Sequence, residues 1–79
     1  MRVQVKLFAT LRHYAPNGLV GRPFEVDLAE GATVADLIQH LSVPAEEVKM
    51  IYVNARARSE AWPLESGNEV GIFPLIGGG

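Results

Sequence analysis

The most suggestive residues for chemistry are the last three of the chain. The sequence closes with "EVGIFPLIGGG", Glu69 to Gly79, so an apolar run gives way to Gly77, Gly78 and Gly79. A terminal carboxylate becomes an acyl donor once it is activated. Glycine is the residue that admits it to a narrow channel, because no Cβ clashes and φ is unrestricted. Fully extended, residues 77–79 reach about 10 Å beyond a folded body. That is enough to place the carboxyl inside another protein's active site while the body docks outside. A glycine run can also be a frayed end, so the other residues have to be weighed against it.

They offer little competing chemistry. Glu46 and Glu47 are adjacent after Pro44, whereas a catalytic carboxylate pair has to converge across a cleft; a solvated or capping role is expected. His13 and His40 lie far apart with no second ligand at helical spacing, which points to surface or packing roles. Ser42, Ser59 and Ser66 lack a nucleophile-elbow context, and neither phosphate-binding glycine motif occurs. Arg56 and Arg58, with Lys49 nearby, read as a solvated turn sooner than as a binding patch.

Composition narrows the class. Seventy-nine residues fit one domain. With no cysteine there is neither a disulfide framework nor a thiolate metal site, which fits a reducing compartment, and no metal is expected. Nine acids and seven bases are scattered without runs, a poor footprint for nucleic acid. No apolar stretch approaches the roughly 20 residues of a membrane span, so a cytoplasmic protein without a membrane partner is expected.

The elements that must position the tail follow from two periodicities. "RVQVKLF" alternates Val3, Val5 and Leu7 against Arg2, Gln4 and Lys6, and "PFEVDL" alternates Phe24, Val26 and Leu28 against Glu25 and Asp27. Both read as half-buried strands. Pro16, Asn17, Gly18 and Gly21 supply turns between them, with Leu11 and Tyr14 covering the core. Val34, Leu37, Ile38 and Leu41 then sit at helical spacing, capped by Thr33 with Asp36 three residues on and stopped by Pro44. "VKMIYVN" returns to strand composition, "ARARSEAW" offers a short return strand and "PLESGN" a turn. "EVGIF" is the last strand, with Val70 and Ile72 inward and Glu69 and Gly71 outward. Pro74 ends its ladder or puts it at an edge. Trp62 is expected to cover an edge of the core. Strands paired as hairpins with one helix across one face make a two-layer α+β domain.

The phrases "VKLFATLR", "GATVADLIQHL", "IYVN" and "GNEVGIFP", with the terminal glycines, appear in an order and spacing that resembles the MoaD/ThiS family of ubiquitin-like sulfur carriers over essentially the whole chain. The resemblance implies a β-grasp fold: a mixed sheet of four to five strands with one main helix packed on one face. It implies one domain over 1–79 with a flexible glycine tail at 77–79. Gly79 would be the residue that a ubiquitin-activating-like enzyme adenylates with ATP and that is converted to a thiocarboxylate. Gly77 and Gly78 would thread the channel, and Phe73, Pro74, Leu75 and Ile76 would lie in or lead into the partner's groove. The chain itself would bind no cofactor, with ATP used by the activating partner, and would be a carrier, not an enzyme.

The opening "VKLFATLR" looks more like the small subunit of molybdopterin synthase than the thiazole carrier, which makes the synthase large subunit the expected partner. The alternatives are a carrier for thiazole or another sulfur-transfer pathway, and a non-catalytic β-grasp module that binds protein or RNA and ends in a disordered tail. An abrupt stop at glycine after an apolar run favours the carrier, since linkers more often add serine or charge. Four positions depart from the family pattern. Asn54-Ala55 stands for Asn-Gly, Gly67-Asn68 for Gly-Asp, Pro74-Leu75 for Pro-Pro, and three glycines for two. The first puts the turn type in question, and the others bear on which partners recognise the chain.

Overall fold

The computed structural model describes residues 1–16 and 18–75. Strand β1 (Arg2–Leu7) leads through a 3-10 helix (Ala9–Tyr14) to β2 (Phe24–Asp27), and helix α1 (Val34–His40) follows. A 3-10 turn (Ala45–Glu47) precedes β3 (Val48–Val53), β4 (Arg56–Ala57) and β5 (Glu69–Pro74). The five strands form one sheet in the order β2-β1-β5-β3-β4. Antiparallel pairing joins β1 to β2, β3 to β4 and β3 to β5, while β1 and β5 run parallel. This mixed sheet with one main helix on one face is the β-grasp architecture.

The periodicities place the core. Val3, Val5 and Leu7 of β1, Phe24 and Val26 of β2, Ile51 and Val53 of β3, and Val70 and Ile72 of β5 are buried on the helix side. Val34, Leu37 and Ile38 meet them from α1, and Leu11, Val43 and Leu64 close the margins. Among the described residues every buried side chain of the core is apolar, and none is polar or charged. Trp62 is 37% exposed, with the Arg58 guanidinium 3.9 Å from its ring centroid. It lies outside the buried core, with one ring face covered by a cation.

Helix α1 is seven residues long, so its ends matter as much as its stripe. The Thr33 hydroxyl accepts the Asp36 amide at 3.3 Å and the Asp36 carboxylate accepts the Thr33 amide at 2.9 Å, a complete capping box. The next two amides, of Val34 and Ala35, are taken by the carbonyls of Trp62 and Glu60. At the far end Ser42 adopts φ 60°, and the bonds Ser42 N–H to Gln39 and Val43 N–H to Ile38 form a Schellman closure. The helix is therefore ended by a serine in the position that usually belongs to glycine, two residues before Pro44.

The hairpin expectation holds for β1–β2 and β3–β4 but not for β5. That strand inserts between β1 and β3 instead of pairing with β4. Pro74 is tolerated in this central strand because of where it stands. Ile72 accepts the Phe8 amide through a carbonyl turned towards β1. Two residues on, the backbone of Pro74 faces the same side, past the end of β1, where no rung is lost.

The turn between β3 and β4 keeps the two-residue geometry of an Asn-Gly turn despite the alanine: φ is 50° at Asn54 and 69° at Ala55. Asn54 is additionally tied to β5, its Oδ1 accepting the Glu69 amide at 2.8 Å. A side chain at positive φ costs about 1–2 kcal/mol, partly offset by the freedom that glycine has when unfolded. Ala55→Gly is therefore expected to stabilise the protein by about 0.5–1 kcal/mol, read as a higher urea midpoint at unchanged m-value.

Candidate functional site

The tail begins where β5 ends, and its surroundings divide by strand alternation. Val70, Ile72 and Pro74 point inward and are buried; Gly71 and Phe73 point to the open face and are half-buried; Leu75 is 59% exposed. Of the four residues expected in the partner's groove, Phe73 and Leu75 are thus presented outward and Pro74 is packed into the domain. Ile76, Gly77, Gly78 and Gly79 lie outside the described residues, as does Asn17.

Phe73 is the centre of an aromatic surface opposite the helix. Its ring stacks on Phe8 with centroids 4.0 Å apart and planes within 8°, and Tyr52 meets it edge-on at 5.5 Å and 80°. Such pairs contribute about 0.5–1.5 kcal/mol beyond their buried area, so the rings form a rigid platform. Gly71 makes room for it, since a Cβ there would stand 3.2 Å from Phe8 Cε2 and 3.5 Å from Phe73 Cε1. Lys6 holds its ammonium 5.1 Å from the Phe8 centroid. A groove runs across this face between Lys6, Phe8, Pro23, Tyr52, Gly71 and Phe73. A second, lined by Lys49, Met50, Tyr52, Phe73, Pro74 and Leu75, adjoins it at the root of the tail.

Sequence reasoning missed Phe8, Met50 and Tyr52 as surface residues, although a signal for them exists. Phe8 continues the outward phase of Arg2, Gln4 and Lys6, and Phe73 that of Glu69 and Gly71. An aromatic in the polar phase of adjacent strands marks an apolar face left to water.

The remaining polar residues take structural places. The Tyr14 hydroxyl donates to the Glu47 carboxylate at 3.2 and 3.3 Å, and the Glu47 carbonyl accepts the Leu75 amide at 2.9 Å. Partial burial, reinforced by the Glu47 carboxylate, raises the Tyr14 pKa, so this hydroxyl remains a donor through the neutral range. Arg2 pairs with Asp27 at 2.8 Å and holds that carboxyl below its ordinary pKa. His13 lies against the Tyr14 ring, and His40 is exposed at the end of α1. Among the described residues no group of three His, Asp or Glu side chains is placed to hold a metal, and no helix is long and apolar enough to cross a membrane.

Comparison with known proteins assigns this arrangement to a family. The family model described as ThiS matches residues 5–79. The putative molybdopterin converting factor subunit 1 from Pyrococcus furiosus is 34% identical, with TM-score 0.71 over 95% of this chain and 98% of its own. SAMP1 from Haloferax volcanii superposes with TM-score 0.71 at 22% identity over 100% of both chains. A chain from the complex of subunits 1 and 2 of the Helicobacter pylori molybdopterin-converting factor gives 0.62 at 19% identity, again over 100% of both. The last two show likeness of fold. A comparison with curated proteins gave no match. The match over nearly the whole sequence and the Pyrococcus likeness place this chain in the ThiS family, with a β-grasp body whose last, central strand runs out beside an exposed aromatic face.

Proposed function

We propose that the chain is a sulfur carrier whose reactive group is the carboxyl of Gly79. The observation that carries the reading is the position of β5. A strand paired on both sides ends at Pro74 beside an aromatic platform on which a partner can sit, and in sequence only Leu75 and Ile76 separate it from the three glycines. Family membership and the 34% identity to a putative molybdopterin converting factor subunit 1 support it.

In this reading an adenylating enzyme docks on the body and draws the tail into its ATP site. The carboxylate attacks the α-phosphate and pyrophosphate leaves, producing a mixed anhydride with an electrophilic carbonyl carbon. A persulfide sulfur on a partner attacks that carbon and AMP departs. A second thiol then cleaves the resulting acyl disulfide, so the two partner sulfurs end as a disulfide and the tail as a thiocarboxylate. This chain contributes position and a slender acyl group; the acid, base and metal chemistry belongs to the partner. The sulfur acceptor is proposed to be the large subunit of molybdopterin synthase. The Helicobacter chain of the same fold comes from a complex of subunits 1 and 2 of the molybdopterin-converting factor, which supports a second subunit as partner.

Incubation with ATP, an adenylating enzyme and a persulfide donor is expected to replace one oxygen by sulfur in the intact mass, and deletion of Gly79 to abolish the exchange. Gly78→Val should fold normally and resist activation; normal activation of that variant would remove the steric reason for the glycines. Phe73→Ala tests the docking face separately. It is expected to weaken binding to the large-subunit partner by tenfold or more, as for a central aromatic anchor worth about 1.4 kcal/mol or above, with the circular dichroism of the free protein unchanged.

A further inference from the structure

The root of the tail is held by little. Beyond Ile72, whose carbonyl accepts the Phe8 amide, β5 has outrun β1, and Pro74 has no amide to donate. Leu75 is then tied on the β3 side, where its amide donates to the carbonyl of Glu47 at 2.9 Å. That rung is set apart from the regular β3–β5 ladder, because the register shifts between Val48 and Met50. The bond therefore needs support from elsewhere. Glu47 closes the 3-10 turn with its amide on the Pro44 carbonyl at 3.0 Å, and its carboxylate is gripped by the hydroxyl of Tyr14, 33 residues away in sequence, with both side chains half-buried.

We propose that Tyr14 is a positioning residue for the tail: by holding Glu47 it fixes the backbone of Leu75, the residue from which the segment 76–79 is presented. The inference rests on the reading of the tail as the reactive segment. Four residues extend at most about 14 Å, so slack at their root blurs where the terminal carboxyl can be presented, and misplacement of a reacting group by about 1 Å can cost about 100-fold. The docking platform of Phe8, Tyr52 and Phe73 lies on the opposite face from the core and keeps its own contacts. Loosening the root should therefore reduce turnover without weakening docking.

The test is amide hydrogen exchange on the full chain, followed by kinetics. In Tyr14→Phe, exchange at Leu75 is expected to quicken about fivefold, the size of one hydrogen bond's net contribution, while Val70 in the middle of β5 keeps its rate. Glu47→Gln, which retains an acceptor oxygen, should hold Leu75 near its normal rate. Glu47→Ala should match Tyr14→Phe, and combining the two should add nothing further, as for partners in one interaction. With an adenylating enzyme, Tyr14→Phe should lower kcat for thiocarboxylate formation several-fold at unchanged KM. Unaltered Leu75 exchange, or exchange that quickens equally at Val70, overturns the proposal, as does a rise in KM with kcat intact. If the unmodified chain accepts no sulfur, the carrier reading fails while the exchange comparison still decides the role of Tyr14.

Discussion

Strand β5 is hydrogen-bonded on both flanks, and the rest of the structure depends on that constraint. It runs parallel to β1 and antiparallel to β3, so the two halves of the sheet are joined through it. Its inward residues Val70 and Ile72 are among the most deeply buried in the molecule, and they bring strands from both ends of the sequence against α1. Burial of such side chains is worth about 1.5–3 kcal/mol each. The strand that leads to the proposed reactive end is therefore also the keystone of the core as far as Ile72, beyond which the chain is tied through the Leu75–Glu47 bond.

The same strand divides the sheet into two chemistries. On one side an apolar layer meets the helix. On the other, the missing side chain of Gly71 lets Phe8 and Phe73 close over the backbone into a stack that Tyr52 braces. Rigid aromatic surface presents contact area at low cost in side-chain entropy, which would suit the proposed cycle of docking and release. In the proposed function docking is supplied by this platform and reactivity by the tail, and neither needs a catalytic side chain in the carrier.

Local features of this arrangement were legible in the periodicity of the sequence, whereas the mixed sheet came only through the resemblance to the MoaD/ThiS family. Alternation in "RVQVKLF" gave the inward set Val3, Val5 and Leu7, and Thr33 with Asp36 announced the helix start. Periodicity reports which face is buried, but it does not say which strand pairs with which. The insertion of β5 between β1 and β3 was therefore hidden, and with it the reason Pro74 is tolerated. Tertiary structure overrode local preference at two turns, where Ser42 and Ala55 hold positive φ normally left to glycine. Trp62, expected to cover an edge of the core, lies at the surface with the Arg58 guanidinium over its ring. The aromatic platform was readable in principle from the outward phase of the strands, whereas the pairing of Tyr14 with Glu47 depends on a fold-level approach that no spacing encodes.

The central claim is that the chain's own terminal carboxyl is the atom group that reacts. Pyrophosphate–ATP exchange by the adenylating enzyme measures its activation directly, because formation of the acyl adenylate is reversible. The account predicts that the natural chain stimulates exchange and that a chain identical in every side chain but ending in a carboxamide at Gly79 does not. Equal stimulation by the amidated chain would contradict it.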